Sequence, residues 1–105
     1  MSADPLFKAL SDPTRRALFR RLCHEDGLTV HHLTAGAGVS QPAVSKHLAQ
    51  LREAGLVFAE PKGREVVYHA RPQGLAPLAE WLADAATFWT KRVDRLDDLL
   101  KRMDQ

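Results

Sequence analysis

A chain of 105 residues with 45% apolar and 27% charged side chains has the balance of one small globular domain, too short for separate catalytic and binding units. Its net charge is +2. No apolar run approaches the roughly 18 residues of a membrane span, and Met1-Ser2-Ala3-Asp4 lacks the basic and apolar regions of a secretory signal. The single cysteine, Cys23, excludes an internal disulfide and a cysteine-only zinc site, and fits a reducing cytoplasm.

Asp4-Pro5 and Asp12-Pro13 each join an N-cap acceptor to a proline preset for a first helical turn. They predict a short helix over 5–10, with Leu6, Phe7 and Leu10 on one face, and a longer one over 13–24. In the second, Leu18 and Leu22 form a stripe with Phe19 and Cys23 beside it, and Glu25-Asp26-Gly27 ends the helix. Val30, Leu33 and Ala37 recur at helical spacing and predict a third, short helix over 30–37. The two glycines of Gly36-Ala37-Gly38-Val39-Ser40 permit a sharp turn. Ser40 then caps a helix over 41–54, entered at Pro42 and stopped by Gly55, with Val44, Leu48 and Leu51 inward. β-rich segments Leu56–Glu60 and Glu65–Ala70 flank Pro61-Lys62-Gly63-Arg64, which predicts a hairpin with a basic tip, closed by Arg71-Pro72. The remainder, 75–103, reads as one long helix. Leu78, Leu82, Ala85, Trp89, Val93, Leu96, Leu100 and Met103 recur along it every three or four residues, and Trp81 and Phe88 add aromatic bulk.

Together these elements predict a mainly α fold with a small β-hairpin, a winged helix-turn-helix in the order α-α-α-α-β-β-α. The expected parts of this one domain, 1–105, are N-terminal helices (5–24), a helix-turn-helix (30–54), a wing (56–70) and a last helix (75–103). On the fourth helix, Pro42, Ser45, Lys46, Ala49 and Gln50 point away from the core side, with Gln41 at its start. A small, polar face with one cation suits entry into a major groove, where bulk or negative charge would block bases or repel phosphate. The plainer reading is an ordinary amphipathic surface helix. The hairpin favours the first, since Lys62 and Arg64 at its tip could reach a backbone or minor groove beside the helix. Residues 8–71 also hold ten Lys and Arg against six Asp and Glu, and residues 72–105 five against six, so a polyanion should meet the first part.

The run Phe7-Lys8-Ala9-Leu10-Ser11-Asp12-Pro13-Thr14-Arg15-Arg16 resembles the opening of ArsR-type winged-helix regulators. Gly38-Val39-Ser40-Gln41-Pro42-Ala43-Val44-Ser45-Lys46-His47-Leu48 is similar to their recognition helix, and Lys62-Gly63-Arg64 followed by Tyr68 to their wing. The resemblance spans about residues 5–100. It implies a homodimeric repressor that binds an inverted-repeat operator in double-stranded DNA and releases it when an effector binds. Ser40, Gln41, Ser45 and Lys46 would make the groove contacts, within a recognition segment that also includes Pro42, Ala43 and His47. Lys62 and Arg64 would contact DNA from the wing, while His47 either packs or touches a phosphate. Arg15 and Arg16 read equally as phosphate contacts or as surface salt bridges. The implied dimer interface joins Leu6, Phe7 and Leu10 to Leu78, Leu82, Ala85, Trp89 and Leu96.

Thiolate-sensing relatives carry a Cys-x-Cys pair that would fall at Thr29 and His31, and no His or Cys follows His69 to serve relatives that use the last helix. His31 and His32 are neighbours, so on a helix they diverge by about 100°. The expectation is no metal, no cofactor, and Cys23 as a buried structural thiol. The likeness is to the SdpR-like branch without the metal ligands, induced by a small molecule or a partner protein. A metal- or redox-responsive repressor using His24, His31 and His32 or Cys23 is the alternative. A protein-interaction module that lost DNA binding is another, and would carry a disrupted outward face or an acidic wing; Glu65 beside Arg64 weakens the wing's charge. No Gly-rich phosphate loop and no nucleophile with a partnered His mark an enzyme.

Overall fold

In the computed structural model, which describes residues 2–103, helices α1 (Asp4–Leu10) and α2 (Pro13–His24) lead into a short strand, β1 (Leu28–Thr29). Helices α3 (Val30–Thr34) and α4 (Gln41–Glu53) follow, then strands β2 (Val57–Lys62) and β3 (Glu65–Ala70). A 3₁₀ turn over Pro72–Leu75 leads into α5 (Ala76–Met103). Three side-chain caps start the helices of the first half. Asp12 accepts from the Arg15 amide at 2.9 Å, Thr29 from the His32 amide at 3.2 Å and Ser40 from the Ala43 amide at 3.3 Å. Each satisfies an amide that a first turn leaves without a partner. α1 departs from this pattern. Its N-cap is Ala3, without a side-chain bond, and Asp4 lies inside the first turn, where its charge complements the helix dipole.

α4 ends as its glycine predicts. Gly55 has φ 80°, and the Leu56 amide donates back to the Leu51 carbonyl at 3.0 Å, closing a left-handed C-cap. The chain then turns directly into β2. α3 is shorter than its apolar spacing suggests: Ala35 is extended, and Ala37 and Val39 reach the core from outside the helix.

The sheet has three antiparallel strands in the order β1-β3-β2. β1 pairs Leu28 with Tyr68 and Thr29 with Val67, an edge addition absent from the hairpin expectation. Pairing of β2 and β3 runs from Val57–Ala70 to Lys62–Glu65, so the loop at the tip is the two residues Gly63-Arg64 rather than the four expected.

The core lies between α2, α3, α4 and the inner end of β2. Leu22, Leu33, Val44, Leu48, Leu51, Leu56 and Val57 are its most deeply buried side chains. At roughly 1.5–3 kcal/mol for each such side chain, this cluster dominates the stability of the body. Gly74 clamps the exit of the sheet: a Cβ there would overlap the carbonyl oxygen of Gly55. Only a glycine lets the 3₁₀ turn lie against the end of α4. Beyond that junction α5 runs 28 residues without one buried side chain, and it draws the molecule out to 73 Å along its longest axis.

Candidate nucleic-acid interface

α4 presents two faces with opposite surroundings. Val44, Leu48 and Leu51 are fully enclosed, while Gln41, Pro42, Ser45, Lys46, Ala49 and Gln50 are exposed. Ala43 is half-buried in the first turn. The Ser40 hydroxyl accepts from the backbone as the cap, which leaves its O–H to donate outward. Among the described residues Lys46 has no ion-pair partner, so its charge faces solvent at the middle of the open face.

His47 departs from the open face. Its side chain is 18% exposed and turns back onto the start of α2, with Nε2 4.0 Å from an Asp12 carboxylate oxygen and Nδ1 3.4 Å from Arg15 Nη1. Of the two roles expected for it, packing or touching a phosphate, the geometry shows the ring packed against Asp12 and Arg15. The same cluster shapes Asp12: the hydrogen bond from the Arg15 amide, aided by the His47 and Arg15 charges, holds its carboxyl below the usual carboxylate range despite some desolvation.

The wing keeps its cations at the tip. Lys62 and Arg64 are both exposed, with Lys62 Nζ 3.7 Å from Glu60 Oε1 and paired across the ladder with Glu65. At its base Phe58, 45% exposed, stacks on His69 with ring centroids 4.9 Å apart. His69 in turn sets Nδ1 3.0 Å from Asp26, tying the wing to the loop before β1.

Of the two positions matched to thiolate ligands, Thr29 and His31, the first has a structural role. Thr29 caps α3 and its hydroxyl lies 3.0 Å from His32 Nδ1, so His32 folds back on the cap. Among the described residues no three His, Cys, Asp or Glu side chains gather as a metal site would require. Cys23 corrects the expectation of a buried thiol: it is exposed, and partial desolvation pushes its thiol above the usual range, opposite to an activated thiolate.

The expected interface residues divide. Leu6 is buried in the chain's own core, and Leu10 and Leu78 are half-buried against that core. Phe7, Leu82, Trp89 and Leu96 are exposed, and Ala85 is half-buried. Phe7 meets the edge of Trp81 at 5.1 Å. Phe88, Val93, Leu99, Leu100 and Met103 extend the same open row.

Comparison with known proteins agrees with this geometry. A helix-turn-helix domain model matches residues 10–57, from the end of α1 to the start of β2. The chain is 44% identical over 90 residues to the HTH-type transcriptional regulator Rv2034 of Mycobacterium tuberculosis, covering 86% of this chain and 80% of that protein. It belongs to the ArsR family of winged helix-turn-helix regulators. Also similar is the arsenic resistance transcriptional regulator ArsR1 of Pseudomonas putida, 38% identical over 80% of this chain and 68% of the relative. Among solved structures, an ArsR-like transcriptional regulator from Rhodococcus sp. RHA1 superposes with a TM-score of 0.74 at 30% identity, covering 91% of this chain and 90% of that one. As an ArsR-family member the chain is a DNA-binding transcriptional regulator, not an enzyme. No described helix is long and apolar enough to cross a membrane.

Proposed function

We propose that this regulator is a cytoplasmic homodimeric repressor, reading an inverted-repeat operator with Gln41, Ser45 and Lys46 of α4 and holding adjacent phosphates with Lys62 and Arg64 of the wing. The observation that carries the reading is α4 itself, enclosed on its Val44–Leu48–Leu51 side and open, small and singly cationic on the other. Exposed Gln41 and Ser45 have donors and acceptors suited to base edges, and Lys46 to a guanine or a phosphate. Two copies joined through α5 and Phe7 would present two such helices about 34 Å apart, the spacing of successive major grooves on one side of a duplex. A solved relative is described as a homodimeric winged helix-turn-helix DNA-binding domain, which supports this assembly at the level of fold. Because Thr29 and His31 stand where thiolate sensors place cysteines, we propose an inducer other than a thiolate-bound ion.

The test is affinity for a duplex selected from a random pool by the wild-type chain, against a scrambled duplex of the same composition, at two salt concentrations. Equal affinity for both duplexes would overturn sequence-specific reading, and a flat salt response would overturn the phosphate contacts. Lys46→Ala is expected to weaken the selected duplex by about 1–3 kcal/mol if Lys46 reads a base.

A further inference from the structure

From one guanidinium, carried on α2, that bonds to both α1 and α4, we infer that Arg15 is a positioning residue for DNA reading: it fixes the tilt of the recognition helix α4 against α1. The inference rests on the DNA-reading role proposed for α4. A cleft of about 480 Å³ separates α1 from the end of α4, lined by Asp4, Pro5, Lys8, Gln50 and Glu53. Arg15, from the first turn of α2, spans it. On the α1 side its Nε donates to the Ala9 carbonyl and its Nη2 to the Lys8 carbonyl at 3.1 Å. On the α4 side Nη1 donates to Gln50 Oε1 at 2.5 Å and lies 3.4 Å from His47 Nδ1. Among the described residues it is the one side chain whose hydrogen bonds reach both α1 and α4.

The chemistry suits the place. The last carbonyls of a helix have no partner within it and carry partial negative charge, which a cation at that end complements. α1 has only seven residues, so its terminal carbonyls are a large share of its polar groups. A planar guanidinium offers five N–H donors in a fixed fork and holds carbonyls on one side while meeting Gln50 on the other. A lysine ammonium is a single point of charge and cannot bridge both sides in that geometry. Arg16 donates to the Leu10 carbonyl at 2.7 Å and secures α1 to α2 without reaching α4. The linkage also runs outward, because Phe7 of α1 meets Trp81 of α5. Arg15 therefore connects the helix beside the open α5 seam to the helix that would read bases.

The experiment uses full-length Arg15→Lys, Gln50→Met and the double variant, titrated against the selected and scrambled duplexes at two salt concentrations. Arg15→Lys is expected to bind the selected duplex about tenfold more weakly, the scale of one charge-assisted hydrogen bond, with scrambled binding and salt slope unchanged. Gln50→Met should lower the ratio similarly, and the double variant should be no worse than either single, as two ends of one link behave. If both duplexes weaken by the same factor, Arg15 acts on the DNA backbone rather than on base reading and the inference is overturned. Wild-type affinity in Arg15→Lys, or additive losses in the double variant, would also overturn it. Should Arg15→Lys lose its native circular dichroism, Gln50→Met at its exposed position decides, and an unchanged ratio there refutes the link. A wild-type chain with no preference for any selected duplex refutes the DNA-reading proposal instead, before any variant is made.

Discussion

α4 and α5 carry the same kind of apolar stripe and end in opposite states. Leu48 and Leu51 of α4 are 0% exposed, whereas Leu82, Trp89 and Leu96 of α5 are 53%, 61% and 56% exposed. Polar links differ in the same sense. Side chains of the body join α1, α2 and α4 to one another, but the hydrogen bonds of Thr87 and Thr90, the Lys101–Asp97 pair and the Arg92–Phe88 contact all stay within α5. Periodicity reveals which face of a helix seeks cover. It does not reveal whether the chain itself supplies the cover, and on α5 the row is too long and too apolar to be an ordinary monomer surface.

The sharpest way to break this comparison is to remove the seam and leave the body alone. Trp89→Ala should cost roughly 3–5 kcal/mol for each large aromatic buried at an interface, and a two-fold assembly meets that loss twice. The dimer dissociation constant is expected to rise by at least about 10⁴-fold, read by sedimentation equilibrium across a dilution series. Far-UV circular dichroism should stay that of a folded body, because Trp89 takes no part in its core. An unchanged dissociation constant would place the contact between copies on another surface.

A smaller effect tests the junction between the two regions. Gly74→Ala forces a methyl onto the Gly55 carbonyl, which is backbone and cannot swing aside as a side chain would. It is expected to destabilise the fold by about 1–3 kcal/mol, the usual range for overpacking, seen as a lower melting temperature at fixed protein concentration. An unaltered melt would mean that the 3₁₀ turn can shift, and that the path from body to α5 is looser than the geometry implies.

How far the sequence could be read follows from where each signal resides. The borders of α2 and α4 were legible because Asp12, Ser40 and Gly55 act on backbone within a few residues of themselves. β1 was not, since two residues carry no periodicity and its strand character comes from Tyr68 and Val67, far along the chain. The open face of α4 was legible from the wheel, except at its margin. There His47 turns inward because Asp12 and Arg15 wait beside it, and spacing along α4 carries no trace of them. Cys23 fails the wheel in the opposite direction, exposed although it lies next to buried Leu22. Arg15 and Arg16 are adjacent and chemically identical. Only the packed arrangement of α1 against α4 tells the bridging residue from its neighbour.

The smallest expected effect separates the regions by pH. The Asp12 carboxyl sits below its usual range, first through the Arg15 amide and then through the His47 and Arg15 charges. A folded-state value below the unfolded one means that the ionised carboxylate stabilises the body at pH above the unfolded value, and this contribution fades as pH falls through the folded value. Asn is also a competent N-cap but carries no charge to titrate. In a His47→Gln background, which removes the neighbouring titratable ring, melting temperatures of the chain with Asp12 and with Asp12→Asn should differ by a constant amount near neutrality and converge in acid. A gap that widens on acidification would reverse the sign and refute the assignment. No such convergence is expected for substitutions along α5, where the Lys101–Asp97 pair is solvent-exposed and lies on a single helix.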